Sequence, residues 1–105
     1  MQVQLNTDRN IRGGERLTEF VEATVTQSLG RFADRVTRVE VHLSDENGAK
    51  SNGEDKKCVM EARPAGMQPV SVSHLAATVD LAVDGAAGKL ARHLDHTFGK
   101  HDRDR

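Results

Sequence analysis

Basic side chains recur at helical spacing near the C-terminal end of the sequence, where their types and positions could bind phosphate. The six residues are Lys89, Arg92, His93, His96, Lys100 and Arg103. On an α-helix, residues separated by these intervals lie along one side, so the six would form one basic stripe. Lysine and arginine neutralise the phosphates of nucleic acids, and protonated histidine adds charge. The basic stripe therefore predicts a ridge that contacts phosphates; the alternative interpretation is a solvated helix face.

Other residues that could do chemistry lack the partners they would need. His93 and His96 are one turn apart, but no cysteine or carboxylate completes an obvious zinc set, so we expect no metal site. Cys58 is the sole cysteine and alternates with Met60 and Ala62, which predicts a buried thiol rather than a nucleophile. The phosphate-binding, nucleophile-elbow and dinucleotide motifs are absent from the sequence. We therefore expect a binding protein without enzyme activity and without a cofactor.

Composition narrows the possible partners. The formal net charge is −1, from 15 lysines and arginines against 16 aspartates and glutamates. Attraction to nucleic acid would therefore have to come from a local patch. The sequence contains neither Tyr nor Trp, which argues against a protein that stacks single-stranded bases on aromatic side chains. No stretch approaches the length of an apolar membrane span, so we expect a cytoplasmic protein with no membrane partner. Because the catalytic motifs are absent, we also expect no small-molecule substrate.

Apolar periodicity predicts the elements that would position the basic stripe. A period of two, typical of half-buried strands, occurs at 1–5, 38–43, 58–63 and 70–75. A period of three to four, typical of amphipathic helices, begins at residue 15 and again near residue 78, where Thr78 is a suitable N-cap. The second helix should end at about residue 98. The elements thus follow in the order β-α-β-β-β-α.

An α+β fold follows from the alternation within each strand. Every strand has one apolar and one polar face, whereas a sheet covered on both sides would need strands that are apolar on both faces. We therefore predict a four-stranded sheet with both helices packed on one face. The domain should span residues 1–98, and the charged tail, 99–105, should fray. The hydrophilic segment 44–56 is longer than a hairpin requires, which favours either a binding loop or a mobile insertion.

Four stretches of the sequence together carry a resemblance to a known family. They are residues 1–6, residues 18–21 with Arg31 and Phe32, residues 36–43, and residues 83–94. The last stretch, Val-Asp-Gly-Ala-Ala-Gly-Lys-Leu-Ala-Arg-His-Leu, is the most specific of the four. Together they span nearly the whole chain and resemble the ribosome hibernation-promoting factor and ribosome-associated inhibitor family, also called sigma-54 modulation proteins.

The resemblance implies both a fold and a partner. The fold would be akin to the double-stranded RNA-binding domain, and the partner would be the small ribosomal subunit, in the channel where mRNA and tRNA pass. Family members block translation there and shelter idle ribosomes during stress. Their contacts with rRNA come chiefly from basic residues on the two helices. The matching positions here are Lys89 and Arg92, with His96, Lys100 and Arg103 following along the same side of the helix.

This chain departs from the family pattern in its first helix. Thr24 and Gln27 stand where the family carries lysines, and Glu22 adds a negative charge. Two hypotheses follow from the resemblance and these departures. One is a translation inhibitor that occupies the ribosome sterically, held by the basic stripe with help from Arg16, Arg31 and Arg35. The other hypothesis is a diverged protein-interaction or regulatory module on the same scaffold, with weak or no ribosome binding.

Overall fold

The computed structural model describes residues 1–46, 53 and 55–103, which form a four-stranded sheet and two α-helices. The elements are β1 (Gln2–Thr7), α1 (Glu15–Leu29), a 3₁₀ turn (Gly30–Phe32), β2 (Val36–Asp45), β3 (Lys56–Pro64), β4 (Val70–Ala76) and α2 (Val79–Arg103). The strands lie in the order β1-β2-β3-β4. β1 is parallel to β2, and the other two pairs are antiparallel. The predicted α+β class and element order are confirmed.

Alternation along the strands decides which face of the sheet meets the helices. Val41 and Leu43 of β2 are buried, whereas His42 between them is exposed. The buried strand residues share one apolar cluster with residues of both helices, such as Val25 and Leu90. Both helices therefore pack on the same face of the sheet, as predicted, and the other face is open.

α2 continues five residues beyond the predicted end of the last helix. It begins after Thr78, whose hydroxyl oxygen accepts a 3.1 Å hydrogen bond from the backbone N–H of Leu81, as an N-cap does. Its last turns are anchored by Asp102, which accepts two hydrogen bonds from Arg35. Residues 99–103 belong to α2, so the helix end predicted at residue 98 is wrong. The predicted fraying of the tail stays a prediction, and residues 104–105 lie outside the described residues.

The hairpin between β2 and β3 is longer than predicted, and the loop is correspondingly shorter. β2 runs to Asp45 and β3 begins at Lys56, so the two residues face each other in the strand pair. Lys56 Nζ lies 3.4 Å from Asp45 and 2.9 Å from buried Asp55. The hydrogen bond that Lys56 Nζ donates to Asp55 is the main reason why the pKa of Lys56 is raised. This ionic cluster closes the base of the loop, while residues 47–52 and 54 lie outside the described residues.

Gly85 allows α2 to approach β4 closely. A Cβ atom at this position would lie 2.6 Å from Cγ of His74 and closer still to the rest of the imidazole edge. We expect Gly85→Ala to lower the free energy of unfolding by about 1–3 kcal/mol, because the imidazole must leave a packed site. Gly88→Ala is the matched control: its Cβ would meet only Arg92 Nη1, at 3.5 Å, so higher helix propensity should stabilise it by up to about 1 kcal/mol. Urea unfolding that gave both variants the same stability would contradict this account.

Candidate nucleic-acid interface

The basic stripe lies on α2, and all six of its side chains are exposed. Buried residues of the same helix, including Leu90 and Leu94, face the sheet instead. Near its start the stripe borders β4, because Lys89 Nζ donates a 2.9 Å hydrogen bond to the carbonyl oxygen of Ser73. The structure therefore places the six residues together as their spacing predicts, while their contact with phosphate stays a prediction.

The permanent cations of the basic stripe differ in whether they already contact another part of the protein. Arg92, Lys100 and Arg103 form no ion pair with a carboxylate within the described residues. Lys89 already donates a hydrogen bond to a backbone carbonyl of β4. β4 is an edge strand, so on its outer side no further strand of the described residues pairs with its carbonyls. An ammonium group has three N–H donors, so Lys89 retains two for a ligand. The permanent cations without a carboxylate partner in the described residues therefore lie in the middle and C-terminal half of the stripe.

Arg31 and Arg35 are held by carboxylates of α2. Arg31 Nη2 lies 2.9 Å from Asp95 Oδ2, and Arg35 makes two hydrogen bonds with Asp102, of 3.1 and 3.0 Å. Because both arginines are paired with carboxylates, they do not extend the basic stripe with further unpaired cations. Their predicted phosphate contacts remain predictions, and the charge of the paired aspartate would weaken each contact.

Two phenylalanine rings fix the orientation of the same arginines. The guanidinium carbon of Arg31 lies 4.6 Å from the centre of the Phe32 ring, and that of Arg35 lies 4.0 Å from the centre of Phe98. The two rings contact each other, with centroids 5.4 Å apart. Each guanidinium thus contacts both a ring and a carboxylate, which orders the seam between the 3₁₀ turn and α2. The sequence gives no local signal for this arrangement, because the paired residues are 64 and 67 positions apart.

Arg16 occupies a different part of the molecule from the other predicted site residues. It lies in the first turn of α1 and lines a cavity together with Arg12, Val79 and Asp80. This cavity adjoins the N-terminal end of α2, whereas the basic stripe extends to the C-terminal end. The structure therefore separates Arg16 from Arg103 by most of the length of α2.

Charged residues on the open face of the sheet satisfy one another. Glu40 accepts a hydrogen bond from Arg38 and lies 3.4 Å from Nη2 of Arg63 and 3.6 Å from Nε2 of His42. The hydrogen bond from Arg38 is the main reason why the pKa of Glu40 is lowered from its usual value of 4.5. The cations on this face already have an acidic neighbour, so the face is a weaker candidate for binding anions than α2.

The lowered pKa of Glu40 predicts how stability depends on pH. Ionised Glu40 contributes stability above its unfolded-state pKa, and that contribution is lost as the pH falls through the lower folded-state value. We expect Glu40→Gln to lower the melting temperature at neutral pH and to flatten its decline in acid. Glu61→Gln is the control, because Glu61 contacts Arg63 at 3.2 Å with a side chain 32% exposed, against 14% for Glu40. Identical pH profiles of thermal unfolding for the two variants would contradict the role given to Glu40.

The position of Cys58 in the fold decides whether its thiol could react. Cys58 is fully buried, and burial raises the pKa of its thiol to about 12. His74 faces Cys58 across the β3–β4 pair, but in the described part of the chain no hydrogen bond joins them. A thiol with such a pKa is not a nucleophile near neutral pH, so the predicted burial of Cys58 is confirmed.

The described ranges contain neither a metal-binding cluster nor a helix that could span a membrane. No group of three or more His, Cys, Asp or Glu side chains there is placed to hold a metal ion. Nor does either of the helices in those ranges have the length and apolar character needed to cross a bilayer.

Comparison with known proteins relates nearly the whole chain to one family. The family described as "Sigma 54 modulation protein / S30EA ribosomal protein" matches residues 6–102. The N-terminal domain of Protein Y from Thermus thermophilus is similar in structure, with a TM-score of 0.73, 18% identity, and coverage of 92% of this chain and 99% of that one. A ribosomal subunit interface protein from Coxiella burnetii is also similar, with a TM-score of 0.72, 15% identity, and coverage of 94% and 99% respectively. No curated protein matches the chain.

Proposed function

The chain belongs to the sigma-54 modulation protein and S30EA ribosomal protein family, and from this premise we propose that it is a hibernation factor that binds the small ribosomal subunit. It would occupy the channel used by mRNA and tRNA and thereby inhibit translation, with the cytoplasm as its site of action. One of its structural neighbours is named a ribosomal subunit interface protein. The ribosome is therefore the first partner to test.

The observation that carries the proposal is the exposed basic stripe on a helix that is anchored along its length. Leu90, Leu94 and Phe98 bury one side of α2 in the core. The cations on the other side of the helix are therefore presented on a rigid support. Rigid presentation suits folded RNA, because the positions of its phosphates are fixed and the backbone that carries the cations is already ordered before binding. Phosphate contacts from such a helix would position the domain in the channel without reading base sequence.

Inhibition would then follow from occupancy alone. The described residues contain no activated nucleophile, and none is needed, since a domain lodged in the channel excludes the mRNA and tRNA. The net charge of −1 gives no general attraction to RNA. Binding would therefore depend on the local field of the stripe and would weaken as salt screens it.

Co-sedimentation with purified small ribosomal subunits tests the proposal. We expect the protein to pellet with the subunits at low salt and to be released as salt is raised. If Lys89, Arg92, Lys100 and Arg103 each contact one phosphate, the logarithm of the binding constant should fall with the logarithm of salt concentration with a slope of about −3 to −4. Failure to pellet at low salt, or pelleting that is indifferent to salt, would count decisively against the proposal.

A second candidate is the diverged protein-interaction module. It is favoured by the ion pairs of Arg31 and Arg35, which remove two cations from the side of α1, where Thr24 and Gln27 already replace lysines. A pull-down with residues 48–53 deleted, which leaves two residues for the turn between the hydrogen-bonded Glu46 and Asp55, separates the two candidates. Loss of protein partners together with intact ribosome binding would assign a second role to this loop, whereas protein partners without any ribosome binding would favour the interaction module.

A further inference from the structure

A cavity of about 530 Å³ lies where the first turns of α1 and α2 meet, apart from the basic stripe. The two helices start at the same end of the molecule and run in the same direction. Their first turns line this cavity together, and at the other end Phe32 after α1 contacts Phe98 of α2. The volume lies within the range of sites that take small organic groups. The proposed docking through the stripe makes no use of it.

The inner wall of the cavity is apolar. Leu17 and Phe20 from α1 and Val79 from α2 line it, and all three are partly buried side chains that pack on the core. They form the part of the core that borders this cavity. Phe20 adds an aromatic ring to this wall, and aromatic rings hold unstacked bases by stacking. A single suitably placed ring is enough to stack one base. The low aromatic content of the sequence therefore does not argue against a site for one nucleotide.

Two arginines give the same cavity a cationic rim. Arg12 precedes α1 and Arg16 lies in its first turn, and neither forms an ion pair within the described ranges. A cation in the first turn of a helix opposes the helix dipole, so Arg16 is a locally unfavourable choice. Unfavourable local choices in otherwise consistent sequences are expected at functional positions. Two guanidinium groups beside an apolar wall are suited to a phosphate attached to a flat organic group.

Two carboxylates also line the cavity, beside the backbone of Gly13 and Gly14. Glu15 and Asp80 come from the first turns of the two helices. They would repel a simple anion, so the lining as a whole does not suit inorganic phosphate. Carboxylates do accept hydrogen bonds from the exocyclic amino groups of bases, as in the contact between Asp or Glu and cytosine. The four charged residues together therefore match a ligand that is anionic at one end and carries an amino group at the other.

We propose that this cavity binds one unstacked nucleotide, with its phosphate on Arg12 and Arg16, its base against Phe20 and its amino group on Glu15 or Asp80. This inference rests on the proposed function in one respect: in a ribosome-bound protein the nucleotide would belong to rRNA. The same chemistry would also accept a free nucleoside monophosphate. A wholly apolar ligand would leave the arginines without a partner, and a bare phosphate would leave the apolar wall empty.

Titration with the four ribonucleoside 5′-monophosphates, followed by NMR, tests the proposal without any ribosome. We expect the methyl signals of Leu17 and Val79 to shift saturably, with a dissociation constant of about 1 mM for the monophosphates that carry an amino group. UMP, which lacks that group, should bind more weakly. Inorganic phosphate is the matched ligand control. Phosphate binding as tight as that of the nucleotides, or shifts that do not saturate, would overturn the proposal.

Variants locate the ligand within the cavity. Arg12→Gln and Arg16→Gln should each weaken nucleotide binding by about fivefold to tenfold, and Phe20→Leu should do so by about tenfold. Arg9→Gln is the control, because Arg9 is an exposed arginine of the same connection that does not line the cavity. Both arginine variants change exposed side chains, so they remain informative if Phe20→Leu fails to fold. Equal affinity of Arg12→Gln and Arg9→Gln would overturn the proposal.

A single-stranded oligoribonucleotide distinguishes the two sources of the nucleotide. Tighter binding of the oligomer than of the monomer, with the same shifts at Leu17 and Val79, would indicate an RNA residue as the natural occupant. Tighter binding of the monomer would indicate a free nucleotide. Ribosome binding without any nucleotide shift would refute the cavity site alone. A nucleotide shift without ribosome binding would refute the proposed function and leave the cavity site standing.

Discussion

Reversing the charge of Arg92 and Lys100 together is expected to weaken binding to the small ribosomal subunit by about 100-fold or more. Each loses a charge-assisted hydrogen bond to phosphate, and each new glutamate also repels the RNA. The salt dependence should become shallower by about 1.5 to 2 in the log–log slope, because two phosphate contacts disappear. Both side chains are exposed, so the melting temperature should stay close to that of the unmodified protein. Co-sedimentation and thermal unfolding measure the two effects separately.

A control must separate the basic stripe from overall charge. Arg9→Glu with Lys57→Glu changes the net charge by the same amount, but Arg9 lies before α1 and Lys57 on the open face of the sheet. We expect this double variant to keep most of the affinity. An equal loss in both double variants would mean that the attraction is unspecific, and the stripe would lose its assigned role. Lys89 is left unchanged in this design, because its bond to the Ser73 carbonyl gives it a structural role as well.

Removing two negative charges from α2 tests whether Arg31 and Arg35 can contact rRNA. Replacing Asp95 and Asp102 by asparagine removes the carboxylates that hold Arg31 and Arg35, while ring contacts still orient both guanidiniums. If this side of α2 faces rRNA, binding should tighten by up to about tenfold and its salt dependence should steepen. The fold should tolerate the change, since ion pairs this exposed contribute little to stability. Unchanged affinity would place both arginines outside the interface.

Elements with a strong internal pattern were predictable from the sequence. Val41 and Leu43 alternate with His42, and that period of two is enough to assign both the strand and its buried face. The spacing of the basic stripe likewise predicted its common side of α2. These features follow from neighbours within a few positions, where the geometry of a helix or strand decides the outcome.

Features made by distant residues were not predictable in this way. The pairing of Arg31 with Asp95 joins residues 64 positions apart, so nothing near either residue reveals that the arginine is neutralised. The last turns of α2 bring Asp102 to Arg35, which lies before β2, and this pair can form only after the helices have packed. The cavity beside Phe20 depends on how far the N-terminal turns of α1 and α2 approach each other. Each of these is a tertiary arrangement, which local propensity does not encode.

Leu90→Ala is expected to lower the free energy of unfolding by about 2–5 kcal/mol, the largest stability effect of a single substitution considered for this chain. Leu90 is fully buried among residues of both helices and the sheet, so truncation removes apolar contacts and leaves a cavity that the rigid surroundings fill only in part. Small domains are stable by only about 5–15 kcal/mol, so the variant should melt at least about 10 °C lower. Urea unfolding and calorimetry would measure both quantities.

Leu81→Ala is the matched control for Leu90→Ala, because it makes the same truncation on the same helix at a side chain that is 56% exposed. It should change stability by no more than about 0.5 kcal/mol. The comparison also bears on function, because the basic stripe depends on the buried side of α2 to hold it in place. If Leu90→Ala loosens the helix, ribosome binding should weaken although no charge has changed, whereas Leu81→Ala should bind normally. Normal binding by a Leu90→Ala variant whose α2 has demonstrably loosened would show that rigid presentation of the cations is unnecessary.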